Sequence, residues 1–237
     1  MKYSINVKEV KKAEGNVKGF ATVVFGDSFK ITNIAIVENK EKGQLFVSMP
    51  RYKSSEKDEK GSIVYKDICN PITAEFREEL FKGILEEYEK AVVQGTEDIK
   101  KNPDVITPPK FSVSVAAYEK EGSNLRGLAR VYIEDCFIVN NVNILQGKEK
   151  VFVAMPSYKT KQKDEKGKDI YQDICYPVTK DFREKLYSEI ERAYEEAKTK
   201  QQAEPKKEGR KISNSGKMRG SGNEGFVRES SEELPFR

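Results

Sequence analysis

The chain of 237 residues carries 43 Lys and Arg against 39 Asp and Glu, a net charge of +4; 35% of it is charged and 37% hydrophobic. It contains no histidine, and its three cysteines, Cys69, Cys136 and Cys175, form no Cys-x-x-Cys pair. These absences exclude His-dependent nucleophile triads, most zinc sites and a disulfide framework, and no Walker-type loop offers nucleotide hydrolysis. No run approaches the ~18 apolar residues that span a bilayer, and the N-terminus lacks a signal peptide's apolar stretch, so the expected location is cytoplasmic.

In chain order, Tyr3–Val10, Val17–Phe25, Phe29–Glu38 and Gln44–Met49 are β-branched or aromatic runs that predict four strands. Gly26-Asp27 marks a tight turn between the second and third, and Val64–Ile68 reads as a short fifth strand. Pro71-Ile72-Thr73 opens a helix, with Thr73 as N-cap and Glu75 near the positive end of the helix dipole. Phe76, Leu80, Ile84 and Tyr88 make its apolar stripe. Residues 94–109 hold Gly95, Asn102-Pro103 and Pro108-Pro109 and read as a linker.

The whole pattern then recurs. Phe46-Val-Ser-Met-Pro50 returns 106 residues later as Phe152-Val-Ala-Met-Pro156, Asp67-Ile-Cys69 as Asp173-Ile-Cys175, and Phe76-Arg-Glu78 as Phe182-Arg-Glu184. Upstream the offset is 108, as in Gly19-Phe-Ala21 and Gly127-Leu-Ala129, so two residues are missing from a hairpin turn of the second copy. Its helix repeats the device with Thr179, Asp181, Phe182, Leu186, Ile190 and Tyr194. The expected organisation is α+β: two tandem copies, 1–93 and 110–199, of a small antiparallel sheet packed by one amphipathic helix. Residues 200–237, rich in Gly, Ser, Lys and Glu, read as a disordered tail.

Between Met-Pro and Asp-Ile each copy has a basic loop, residues 51–66 and 157–172, each with a net charge of +2. The functional reading is phosphate contact by Arg51, Lys53 and Lys57 and by Lys159, Lys161 and Lys163, with Tyr52 and Tyr158 offering faces for base stacking. The plain alternative is a solvated polar hairpin. Cys69 and Cys175 read as buried small apolar residues. Asp67 and Asp173 read as backbone or ion-pair anchors, since no second carboxylate can be placed beside either for catalysis. Residues 205–219 carry a net +5, suited to nonspecific phosphate contact, and residues 220–237 a net −2. The ending Glu232-Glu-Leu-Pro-Phe-Arg237 is similar to the acidic Pro-Phe tip of bacterial single-stranded-DNA-binding proteins, which implies a partner-binding role for Leu234, Pro235 and Phe236; it departs from that pattern in having Arg237 after the Phe.

Leu45-Phe-Val-Ser-Met-Pro50 with Asp67-Ile-Cys-Asn-Pro-Ile72, and Val151-Phe-Val-Ala-Met-Pro156 with Asp173-Ile-Cys-Tyr-Pro-Val178, resemble the SpoVG family (stage V sporulation protein G, septation regulator). The resemblance covers most of residues 1–197. It implies a bacterial β-sheet-plus-helix domain, usually single-copy and dimeric, that binds DNA and RNA as a regulator. Two copies on one chain are then expected to satisfy the dimer contact internally as a pseudo-two-fold pair. The family's binding residues follow Met-Pro, which here implies Arg51, Tyr52 and Lys53, and Ser157, Tyr158 and Lys159; the usual Lys-Arg pair is replaced by Tyr-Lys. The expected function is that of a non-enzymatic nucleic-acid-binding regulator of septation or sporulation, without cofactor or metal. The alternative is a protein-interaction adaptor of the division or replication machinery.

Overall fold

The computed structural model describes residues 2–11, 15–94, 107–118 and 122–203. β1 (Tyr3–Glu9), β2 (Val17–Phe25), β3 (Phe29–Asn39) and β4 (Gln44–Ser48) form an antiparallel meander. β5 (Arg51–Lys57) and β6 (Ile63–Asp67) pair only with each other, followed by the three-residue β7 (Cys69–Pro71) and helix α1 (Ala74–Gln94). The second copy repeats this as β8 (Phe111–Ala117), β9 (Leu125–Ile133), β10 (Phe137–Gln146), β11 (Val151–Ala154), the hairpin β12 (Ser157–Lys163) and β13 (Asp169–Asp173), β14 (Cys175–Pro177) and α2 (Lys180–Ala203).

The helices begin where their caps predict. Thr73 Oγ1 accepts the Phe76 N–H at 3.3 Å, and the Thr73 and Thr179 carbonyls accept the Arg77 and Arg183 N–H groups at 3.1 Å. Phe76, Leu80 and Ile84, and Phe182, Leu186, Ile190 and Tyr194, are buried against the sheets. Helix α2 runs to Ala203, past the boundary at 199 that composition suggests: Lys200, Gln201, Gln202 and Ala203 are good helix formers, and Gln201 Nε2 donates to the Ala117 carbonyl at 3.2 Å. The tail segment with Leu234, Pro235 and Phe236 lies outside the described residues. No described helix is long and apolar enough to cross a membrane.

The two copies do not fold side by side; they exchange strands. β14 of the second copy pairs with Phe29–Ile31 of β3, and β7 of the first pairs with Phe137–Val139 of β10. A bulge makes room for this. Asn33 and Asn141 sit at φ 60° and 57°, where Asn is tolerated better than most residues, and the ladders slip there. Each long strand is thereby divided. The same edge serves the exchanged strand before the bulge and the copy's own β4 or β11 after it. At the junctions, the Thr32 N–H donates to the Ile174 carbonyl at 2.8 Å, and the Asn140 N–H to the Ile68 carbonyl at 2.7 Å.

The exchange yields one core. Phe25 and Phe137 from opposite copies meet at 5.1 Å between ring centroids, and Phe29 of the first copy meets Phe182 of α2 at 6.2 Å. Cys69 and Cys175 are both fully buried, and burial, together with the neighbouring Cys69, pushes the Cys175 thiol well up, so the two exchanged strands come close to each other in the core. The chain is therefore an intramolecular pseudo-dimer of two α+β copies.

The turn at Gly26-Asp27 has both residues at positive φ, 48° and 47°, as a type I′ hairpin requires. A Cβ on Gly26 would fall 2.3 Å from the Thr107 carbonyl oxygen, where the chain enters the second copy beside buried Pro109. Gly26→Ala is therefore expected to destabilise the protein by about 2 kcal/mol or more, a loss readable from the urea midpoint; an unchanged midpoint would mean that this contact does not hold the second copy's entry segment.

Candidate nucleic-acid interface

The basic loops are β-hairpin arms that stand off the main sheets. Register determines which side chains share a face, because directly opposed residues point the same way. In the first arm Arg51 opposes Asp67, Lys53 opposes Tyr65 and Lys57 opposes Ile63, while Tyr52 opposes Lys66 on the other face. In the second, Ser157 opposes Asp173, Lys159 opposes Tyr171 and Lys163 opposes Asp169, with Tyr158 against Gln172. Lys53, Lys57, Lys161 and Lys163 are exposed.

Tyr52 and Tyr158 do not share a face with Lys53, Lys57, Lys159 and Lys163. Both are half-buried against the core, and the Tyr158 hydroxyl donates to Gln172 Oε1 at 2.7 Å. The rings beside the lysines are Tyr65 and Tyr171, 42% and 45% exposed. Arg51 lies over the Tyr65 ring with its guanidinium carbon 5.8 Å from the centroid. Residue-by-residue reading missed this pair, although the signal was present: Tyr65 and Tyr171 recur at the same offset of 106 as the rest of the arm.

The acidic residues of the arms are largely engaged in building the turns. Asp58 Oδ1 accepts the Lys60 and Ser62 N–H groups at 2.9 and 2.7 Å, and Asp164 Oδ1 accepts those of Lys166 and Lys168 at 2.8 Å. Glu56 holds Lys66 at 2.6 Å, a hydrogen bond that raises the Lys66 pKa. The equivalent lysines Lys53 and Lys159 differ in their partners. Lys159 is held by Asp169 at 2.8 Å, whereas among the described residues Lys53 makes no ion pair, since Ile63 stands where the second arm has Asp169.

At the base of the arms, burial pushes the Asp67 and Asp173 carboxyls above the ordinary range, opposed by Arg51 and Arg77 at the first and by Arg183 at the second. The Arg77 and Arg183 Nη2 groups donate to the Pro71 and Pro177 carbonyls at 3.1 Å, which ties each helix to an exchanged strand. Among the described residues no group of three or more Cys, Asp or Glu side chains converges as a metal site.

Comparison with known proteins agrees with this duplication. The SpoVG family pattern matches residues 1–90 and again 110–196. The chain is 36% identical over 74 residues to a protein of Phytoplasma australiense named "Putative septation protein SpoVG", covering 31% of this chain and 71% of that one. Proteins of the same name from Clostridium perfringens and Lachnospira eligens are 34% and 37% identical over 90 and 87 residues, covering 36% and 37% of this chain and 91% and 89% of theirs. Each relative thus matches about one copy.

Proposed function

Because this chain belongs to the SpoVG family and carries the family's domain twice, we propose that it is a cytoplasmic, non-enzymatic regulator that binds DNA or RNA through its two hairpin arms, with a role in septation or sporulation. The observation that carries this reading is the duplicated arm face: Lys53, Lys57 and Tyr65 on one side, Lys159, Lys163 and Tyr171 on the other, set in pairs by the same register. Ammonium groups supply sequence-independent phosphate contact, and exposed rings supply stacking for unpaired bases. A folding role explains these lysines poorly, since solvated charges add little stability. Septation enters from the name of the relatives, each of which matches one copy.

Fluorescence anisotropy with labelled single- and double-stranded DNA and RNA tests the reading. Binding that weakens linearly in log affinity with log salt supports it; no binding at low salt leaves the adaptor role in its place. Tyr65→Ala with Tyr171→Ala is expected to cost about 1–3 kcal/mol per stacked base on single strands, with the salt slope unchanged. Tyr52→Ala is expected to act on thermal stability, because that ring packs against the core.

A further inference from the structure

An open cleft of about 340 Å³ lies at the root of the first arm, between β4, the exchanged strand β7 and helix α1. Phe46, Ser48, Arg51, Asp67, Arg77 and Phe81 line it. Phe46 is 44% exposed, a large ring on the solvent side of a cleft whose buried lining is Val47, Ser48, Met49 and Pro71. Arg51 is fixed by donation from Nη2 to Ser48 Oγ at 3.0 Å, and its Nε–H is buried with no partner among the described residues. A buried donor of that kind is costly unless a ligand or water completes it. Arg77 is anchored through the Pro71 carbonyl. Two guanidiniums against one carboxylate leave the cleft positive, which suits a phosphate, and the Asp67 carboxylate can accept N–H groups from a base edge.

The second copy lacks these features at the equivalent positions. Ser157 replaces Arg51, Ala154 replaces Ser48, Tyr176 replaces Asn70 and Tyr187 replaces Phe81, while Arg183, Asp173, the exposed Phe152 and the apolar Val153, Met155 and Pro177 remain. We propose that the first-copy cleft is a site for one nucleotide, with its base on Phe46 and its phosphate between Arg51 and Arg77, and that the second copy has no such site. The two copies then divide the work: both arms hold the strand, and only the first seats a nucleotide in a cleft at its root. A nucleotide within a single strand and a free nucleotide share this chemistry; for the strand, the inference rests on the nucleic-acid reading above.

The test uses the full chain and three variants, Arg51→Ser, Phe46→Ala and Phe152→Ala. Arg51→Ser installs the residue that the second copy carries at the same position. The probes are labelled single-stranded oligonucleotides by anisotropy and free guanosine monophosphate by calorimetry. Arg51→Ser and Phe46→Ala are each expected to weaken strand binding roughly tenfold or more, while Phe152→Ala changes it little. Guanosine monophosphate that binds the wild type and not Arg51→Ser extends the site to free nucleotides; its failure to bind, with the strand losses in place, assigns the site to a strand. Equal losses from Phe46→Ala and Phe152→Ala, or a strand held undiminished by Arg51→Ser, overturn the proposal. If the wild type binds no strand, the nucleic-acid reading fails. The cleft then stands only if guanosine monophosphate binds and Arg51→Ser abolishes it.

Discussion

Phe137→Ala is expected to lower stability by about 3–5 kcal/mol and to unfold both copies together. Phe137 is fully buried, meets Phe25 of the other copy at 5.1 Å, and lies in the ladder opposite Pro71 of the exchanged strand. Its removal opens a cavity at the seam of the shared core, where neither copy can close over it alone. Urea unfolding followed by tyrosine fluorescence and by far-ultraviolet circular dichroism checks this. The two probes should coincide, with the midpoint lowered and the slope unchanged. Two separated transitions, one at the wild-type midpoint, would mean that each copy has its own core and that the exchange is incidental.

The second large effect is on binding. Replacing Lys53, Lys57, Lys161 and Lys163 together by alanine is expected to flatten the plot of log affinity against log salt by about 3, at ~0.7–0.9 for each phosphate contact, and to cost about a hundredfold in affinity at low salt. The losses should be uneven between the arms. Lys159→Ala alone should change little, because its ammonium group is already held by Asp169 at 2.8 Å, and Lys53→Ala should change more. Asp169→Asn should tighten binding by releasing Lys159. Salt titrations of anisotropy, with the fold checked by circular dichroism, decide it. A quadruple variant with unchanged slope would remove the arms as the binding surface and favour the adaptor role.

The candidate site was legible in composition but not in direction. The basic positions between Met-Pro and Asp-Ile are evident from the sequence, and their duplication marks them. Which of them share a face is not evident, because that depends on the pairing of β5 with β6, and each arm contains a slip between Lys53 and Lys57 or between Lys159 and Lys163. Tyr52 and Tyr158 adjoin the lysines in sequence and lie on the opposite face in the hairpin; Tyr65 and Tyr171 are distant in sequence and adjacent across the ladder. The Lys159–Asp169 pair is of the same kind, made across the arm rather than along it.

The duplication, the four-strand meander of each copy, the Gly26-Asp27 turn and both helices with their caps are determined by the sequence itself. All rest on interactions between near neighbours, where alternation, a four-residue stripe and a capping threonine act within a few residues. Tertiary structure decided the exchange. β7 and β14 are three residues long, too short to carry a period, and their partners lie 68 and 146 residues away in sequence, at Phe137–Val139 and Phe29–Ile31. Those edges are open because β4 and β11 pair only beyond Asn33 and Asn141, which adopt positive φ where the ladders slip. Such a bulge is a property of the assembled sheet, where one lost ladder contact is offset by a second strand gained on the same edge.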